Sequence, residues 1–88
     1  MLKITQIPGP DSTVLLKVEG KLQEPWIDEL FQSVAQVSVD GKMPHLDLTA
    51  LSNADQAGTR VLSELVQRGA VIIAASGFMA ALLGREKS

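Results

Sequence analysis

Hydrophobic and polar residues alternate most clearly at the start of residues 45–75, a segment that we predict to form a strand, a loop, a helix and a second strand. Leu46 and Leu48 alternate with Asp47 and Thr49. A period of two residues is typical of a strand with one buried and one solvated face. The charge of Asp47 predicts that one face of the sheet is covered less completely than the other.

After this first strand, the pattern changes to the spacing of a helix. Residues 51–55 are a polar break, which predicts a loop because Ser, Asn and Asp side chains compete for backbone hydrogen bonds. Apolar residues then recur at helical spacing at Ala54, Ala57, Val61, Leu62, Leu65 and Val66. Arg68 and Gly69 predict the end of the helix, with a cation in the last turn followed by a left-handed cap.

Residues 70–75 are a continuous apolar run that is rich in β-branched side chains. Such a run is too short for an independent helix and is typical of a well-buried parallel strand. Strand, helix and strand in this order predict a βαβ unit. We expect its core to contain Leu46, Leu48, Val61, Leu62, Leu65, Ile72 and Ile73.

The N-terminal half predicts two strands and a helix. Residues 2–7 and 13–19 have strand patterns, and the turn residues between them favour an antiparallel hairpin. Pro25 is predicted near the first position of the helix, and a last short helix is predicted at residues 78–83. The element order β-β-α-β-α-β-α predicts one α/β domain over residues 1–88, with a small mixed β-sheet and helices packed mainly on one face.

Short motifs in these elements together resemble the STAS domain, the family of sulfate transporters and anti-sigma factor antagonists. The family pattern is D-L-T, a short loop, D-x-x-G at a helix start, and R-G-A before an apolar strand. The matching residues are Asp47, Leu48, Thr49, Asp55, Gly58, Arg68, Gly69 and Ala70. Residues 18–22 also resemble an early strand segment of the family. The resemblance extends over residues 14–83 and implies the same order of elements.

The resemblance also implies a regulatory site at the start of the second helix. In STAS antagonists a phosphorylatable serine lies between the two residues that correspond to Asp55 and Gly58. Here the intervening residues are Gln56 and Ala57, neither of which can accept a phosphoryl group. We therefore expect the charge switch of the family to be absent at its usual place.

Asp55 itself is predicted to be an N-cap, whose carboxylate accepts hydrogen bonds from backbone N–H groups of the helix. A helix N-terminus is also a favourable place for a phosphate. The nearest hydroxyl groups belong to Thr59, predicted on the helix surface, and Ser52, predicted in the preceding loop. We interpret both as structural residues, and regulatory phosphorylation at either is the alternative.

Composition excludes several classes of protein. With 45% hydrophobic and 20% charged residues, the chain has the composition of a folded globular domain. A net charge of −2 gives no electrostatic attraction to nucleic acid. The absence of cysteine excludes disulfides and thiolate metal sites. Because no apolar run reaches about 18 residues and no signal-peptide pattern is found, we expect a cytoplasmic protein without membrane insertion.

Residues that could carry catalysis or bind a cofactor are isolated from one another. His45 is the only histidine, so no imidazole metal site is expected. The serines have no G-x-S-x-G context, and the glycines form no phosphate-binding loop. We therefore predict a protein that is not an enzyme and that has no cofactor and no metal.

The sequence thus favours a protein–protein interaction module. The predicted partner-binding residues are Ser52, Asp55, Gln56, Ala57, Gly58, Thr59 and Arg60. The STAS resemblance implies that the partner is an anti-sigma factor of the serine-kinase type. The alternative that it implies is a small cytoplasmic subunit of a lipid-transport ABC system, with an ABC transporter subunit as the partner. Self-association into a homodimer is a further alternative.

Overall fold

The computed structural model describes residues 1–77 and 79–81. The described elements are β1 (Leu2–Pro8), β2 (Thr13–Leu22), α1 (Ile27–Val39), β3 (Met43–Leu48), β4 (Leu51–Ala54), α2 (Gln56–Gln67) and β5 (Val71–Ala75). Residues 77 and 79–81 are also helical, at the position of the predicted last helix. Phe78, Leu82 and Leu83, which the sequence assigns to that helix, lie outside the described residues.

The predicted α/β fold with a mixed sheet is confirmed, with one strand more than the sequence predicted, so that the order is β-β-α-β-β-α-β-α. The strands lie side by side in the order β1-β2-β3-β5, and β4 also pairs with β2. β1 and β2 form the predicted antiparallel hairpin. β2 with β3, and β3 with β5, are parallel, as the βαβ prediction requires.

The additional strand corrects the prediction that residues 51–55 are a loop. β2 pairs with β3 along its first half and with β4 at its end, where Gly20 lies opposite Leu51. Hydrogen bonds at both ends of β4 hold this arrangement, from Gly20 N to Ala50 O at 3.2 Å and from Asp55 N to Leu22 O at 3.2 Å. β4 is short and mostly exposed, so it lacks the alternation that reveals a strand in a sequence.

The hydrophobic core lies between α1, α2 and one face of the sheet. Alternate residues of β2 and β3 point into it, while the residues between them are half-buried or exposed on the other face. The core residues of the two strands are Val14, Leu16, Val18, Leu22, Pro44, Leu46 and Leu48. The helices cover them with Ile27, Leu30, Val34, Val37, Leu62 and Leu65. The buried sides of the strands and of the helices thus form one core, as predicted.

The prediction of a well-buried β5 was wrong. Ile73, expected in the core, is 52% exposed, and Val71 is also exposed. β5 is the last strand in the sheet order, and Ile73 has no partner in β3 because the register shifts between Leu46 and Asp47. Ile72 is partly buried against the core. An apolar run does not distinguish a central strand from a strand at the edge of a sheet.

The two helices also depart from the prediction in detail. Val61 is partly buried instead of fully buried, and Ala57 is exposed. The buried stripe of α2 is shifted to Gly58, Thr59, Leu62 and Leu65. α1 begins at Ile27, two residues after Pro25, with Trp26 as its N-cap. Helix boundaries vary by one or two residues in any sequence-based prediction, since the end of a helix is set by local contacts.

Candidate partner-binding site

The N-terminus of α2 is held by Asp55, as the sequence predicted. The residue is in an extended conformation and its side-chain Oδ1 accepts a hydrogen bond from Gly58 N at 2.7 Å. Its carbonyl oxygen accepts a second bond from Thr59 N at 2.9 Å. Because Asp55 N also donates to Leu22 O, the cap joins the start of α2 to the end of β2. The first turn of the helix is therefore fixed to the sheet.

Gly58 brings the first turn of α2 into close contact with β2. A Cβ atom at this position would collide with the carbonyl oxygen of Leu22 and would lie 3.0 Å from Leu22 Cγ. Gly58 is buried, so it is not accessible to a partner in this conformation, although the sequence placed it among the binding residues. The glycine of the D-x-x-G motif allows the close packing of α2 on β2, and its backbone N–H donates to Asp55.

Thr59 is also buried, which corrects the prediction that it lies on the helix surface. Its side chain is only 5% exposed, and its Oγ1 donates to Asp55 O at 3.0 Å. A hydroxyl that is buried and already donating a hydrogen bond is not accessible to a kinase in this conformation. Thr59 therefore belongs to the packing of α2 against the sheet and not to a binding surface.

The remaining predicted residues are exposed, and they define what we call the α2 N-terminal surface: Ser52, Asp55, Gln56, Ala57 and Arg60. Ser52 Oγ donates to Gly20 O at 2.9 Å, which ties β4 to the end of β2. One carboxylate and one guanidinium make this surface electrostatically balanced. The first turn of α2 contains no acidic residue, so the partial positive charge of the helix N-terminus is met by Asp55.

A short polar turn connects β3 to β4 beside this surface. Thr49 donates to Asp47 Oδ1 through its hydroxyl and through its backbone N–H, the latter at 3.0 Å. These bonds, with a smaller contribution from Lys17, hold the pKa of the Asp47 carboxyl below its ordinary value. The D-L-T motif therefore joins the end of β3 to the turn, and its threonine stabilises the ionised aspartate.

Three kinds of feature are absent from the described residues. Among residues 1–77 and 79–81, no group of three or more His, Cys, Asp or Glu side chains could hold a metal ion. In the same part of the chain, no buried side-chain nitrogen or oxygen lacks a hydrogen-bond partner. No helix there is long and apolar enough to cross a membrane.

A groove between α1 and the end of α2 was not predicted from the sequence. Its volume is about 410 Å³, and apolar side chains of Phe31, Val34 and Leu65 line it. The Arg68 guanidinium lies over the Phe31 ring at 5.4 Å from its centroid, and it donates to Glu64 Oε1 at 2.9 Å. The sequence interpreted Arg68 only as a helix-end cation, and only tertiary packing brings it to Phe31.

Comparison with solved structures supports the STAS-like fold. The chain is similar to the crystal structure of an uncharacterized protein of the DUF3478 family with a SpoIIAA-like fold, from Shewanella loihica PV-4. The TM-score is 0.58 and the sequence identity is 16%, with 88% of this chain and 70% of that chain covered. This is a STAS-like fold, as the motifs implied. No protein-family model matches the chain, and no curated protein matches it.

Proposed function

We propose that this chain is a non-enzymatic protein–protein interaction module that binds its partner through the α2 N-terminal surface. The observation that supports this proposal is the cap, in which the Asp55 carboxylate and carbonyl hold the first turn of α2. The exposed side chains of Gln56, Ala57 and Arg60 are thereby presented in a fixed arrangement. A surface that is ordered before binding loses less conformational entropy when the partner binds.

The STAS-like fold and the sequence motifs favour an anti-sigma factor of the serine-kinase type as the partner, whose capture frees a sigma factor. In this chain the two positions of the usual phosphorylation site are Gln56 and Ala57. Thr59, the next hydroxyl along α2, is buried. Binding is then constitutive in the proposed mechanism, because the helix start offers no accessible hydroxyl for the addition of charge.

The same two residues give weight to the alternative, a small cytoplasmic subunit of a lipid-transport ABC system. Such a subunit would use the same α2 N-terminal surface with a different partner. In both cases the protein acts in the cytoplasm. The two functions are distinguished by which purified partner binds, the anti-sigma kinase or the ABC transporter subunits encoded in the same genome.

Ala57→Asp tests the surface directly. Ala57 is exposed in the first turn of α2, where a helix tolerates acidic residues, so the fold should be retained. Affinity for the partner, measured by titration calorimetry, should fall at least about tenfold, because the new charge must be desolvated in the interface. Lys42→Asp, in the exposed turn between α1 and β3, changes the charge by twice as much and should have a smaller effect. Equal binding by both variants and the parent would place the contact elsewhere.

The proposal that binding is constitutive is tested by asking whether the protein can be phosphorylated. We expect no phosphoryl incorporation when the protein is incubated with ATP and the anti-sigma kinases of the same genome. Intact-mass spectrometry measures this directly. Stoichiometric phosphate on Ser52, an exposed residue of β4 whose hydroxyl donates to Gly20 O of β2, would show that the charge switch has moved to β4. Phosphate on Thr59 would require α2 to separate from the sheet.

A further inference from the structure

The face of the sheet opposite α1 and α2, which we call the open face, carries a row of residues across four strands that is apolar except for His45. Pairing register places Ile7 of β1 beside Leu15 of β2, then His45 of β3 and Val71 of β5. Ile7 is 43% exposed and Val71 is 41% exposed. Residues 1–77 and 79–81 thus leave these large apolar side chains in contact with solvent. Large apolar side chains exposed on an uncovered face of a sheet favour a binding site there.

A row of polar residues lies next to the apolar row. Thr5 of β1 is beside Lys17 of β2, which is beside Asp47 of β3. One row further along the strands, Lys3 lies opposite Glu19. The open face therefore has balanced charges, and it offers no net attraction to a strongly acidic or strongly basic partner.

We propose that the open face binds a second copy of this chain, in a twofold-symmetric dimer whose axis runs along the strands between β2 and β3. Rotation by half a turn about that axis exchanges β2 with β3 and β1 with β5. Lys17 then faces Asp47 of the second copy, and Asp47 faces Lys17 of the second copy. Ile7 faces Val71 of the second copy in the same way.

The sheet order makes the open face complementary to itself under this rotation. In a twofold dimer the same patch is used on both copies, so each residue must match the one that the axis exchanges with it. Here the exposed apolar side chains Ile7 and Val71 meet each other, and the cation Lys17 meets the anion Asp47. Between these pairs in the sheet, Leu15 meets His45. Two sheets that pack face to face usually align within about 30°, which keeps residues close to the axis in register.

The size of the open face limits how much surface the dimer can bury. Four strands about 4.8 Å apart, each residue rising about 3.4 Å over the seven residues of β1, give a flat area of about 450 Å² for each copy. Stable interfaces usually bury about 800 Å² for each partner. We therefore expect a weak, concentration-dependent dimer instead of a permanent one.

Sedimentation of the purified chain between about 1 µM and 1 mM covers the affinities expected of a weak dimer. Val71→Glu places a carboxylate against Ile7 of the second copy and should raise the dissociation constant at least about tenfold. Val39→Glu is the matched control, because Val39 is 79% exposed at the end of α1, in the helical layer. It should leave the dissociation constant unchanged. Far-UV circular dichroism confirms that each variant is folded.

A pair of variants tests the geometry itself. Ile7→Lys should weaken self-association as Val71→Glu does, but a mixture of the two should associate, because the introduced lysine faces the introduced glutamate only across the proposed axis. Ile7 and Val71 lie at opposite edges of one sheet, so the rescue cannot arise within one copy. The proposal is overturned if the parent is monomeric at all concentrations, if Val39→Glu weakens the dimer as much as Val71→Glu, or if the mixture does not associate.

Discussion

The two faces of the sheet are built by the same strands and have opposite characters. On the helix-covered face, Leu16 and Val18 of β2 are completely buried among aliphatic side chains. On the open face, Leu15 and Lys17 of the same strand remain half-buried. One strand therefore carries a stabilising surface and the surface that we propose for self-association, separated by the period of two residues.

The two faces differ in how much stability the protein loses when a side chain is truncated. Truncation of a side chain on the covered face leaves a cavity in a close-packed core. Truncation on the open face removes contacts mainly with solvent. The first turn of α2 has both characters, because Gly58 and Thr59 pack inward while Gln56 and Ala57 point outward.

The largest expected effect comes from the covered face. Leu65 of α2 is 2% exposed in the core, so Leu65→Ala should lower the free energy of unfolding by about 2–5 kcal/mol in a denaturant titration. Ile73→Ala on the exposed side of β5 is the control and should change it by about 0.5 kcal/mol or less. Equal effects of the two substitutions would remove the distinction between the faces.

A smaller loss is expected where α2 approaches β2. In Gly58→Ala the added methyl group collides with the Leu22 carbonyl, and overpacking of this kind costs about 1–3 kcal/mol. Thermal melts measure the change. Gln56→Ala, in the same turn but exposed, should be close to neutral. A neutral Gly58→Ala would mean that α2 can move away from the sheet without loss of stability.

The N-cap at Asp55 is expected to contribute less to stability than the close packing at Gly58. Asp55→Ala removes the acceptor for Gly58 N and should cost about 0.5–2 kcal/mol of stability in a urea titration. Asp55→Asn keeps a side-chain oxygen and should restore most of it. If Asn fails to rescue, the charge of Asp55 and not its hydrogen bond holds the helix start.

The smallest effect on stability is expected from Asp47 on the open face. Because its folded pKa lies below the ordinary 3.8, its contribution to stability is complete above that value and is lost as the pH falls through the folded pKa. Thr49→Val removes the hydroxyl donor and should move the pKa of Asp47 upward, toward the ordinary value. Carbon-detected NMR titration of the side-chain carboxyl measures this. An unchanged pKa would show that the backbone N–H of Thr49 alone stabilises the carboxylate.

Most of the local elements and the cap could be predicted from the sequence. The hairpin, the βαβ unit and the N-cap at Asp55 follow from short-range patterns, which act over a few residues. The buried side of β3 was also predictable, since its apolar and polar residues alternate. The prediction failed for β4, which is too short and too polar to show a period.

The cap at the start of α2 was predicted, but the exposure of the residues around it was predicted only in part. A helical wheel gives the spacing of residues on α2 but not the angle at which the helix meets the sheet. That angle is set by Gly58 against Leu22, and it turns Thr59 inward and leaves Ala57 in solvent.

The sequence by itself determined where four of the five strands and α2 lie and how α2 begins, because periodicity and capping are interactions between near neighbours in the chain. Only the tertiary structure decided that β4 pairs with β2, that β5 is an edge strand, and that Thr59 is buried. Each of these depends on residues far apart in the chain, and an apolar run such as residues 71–75 has the same local pattern whether its neighbours cover it or not.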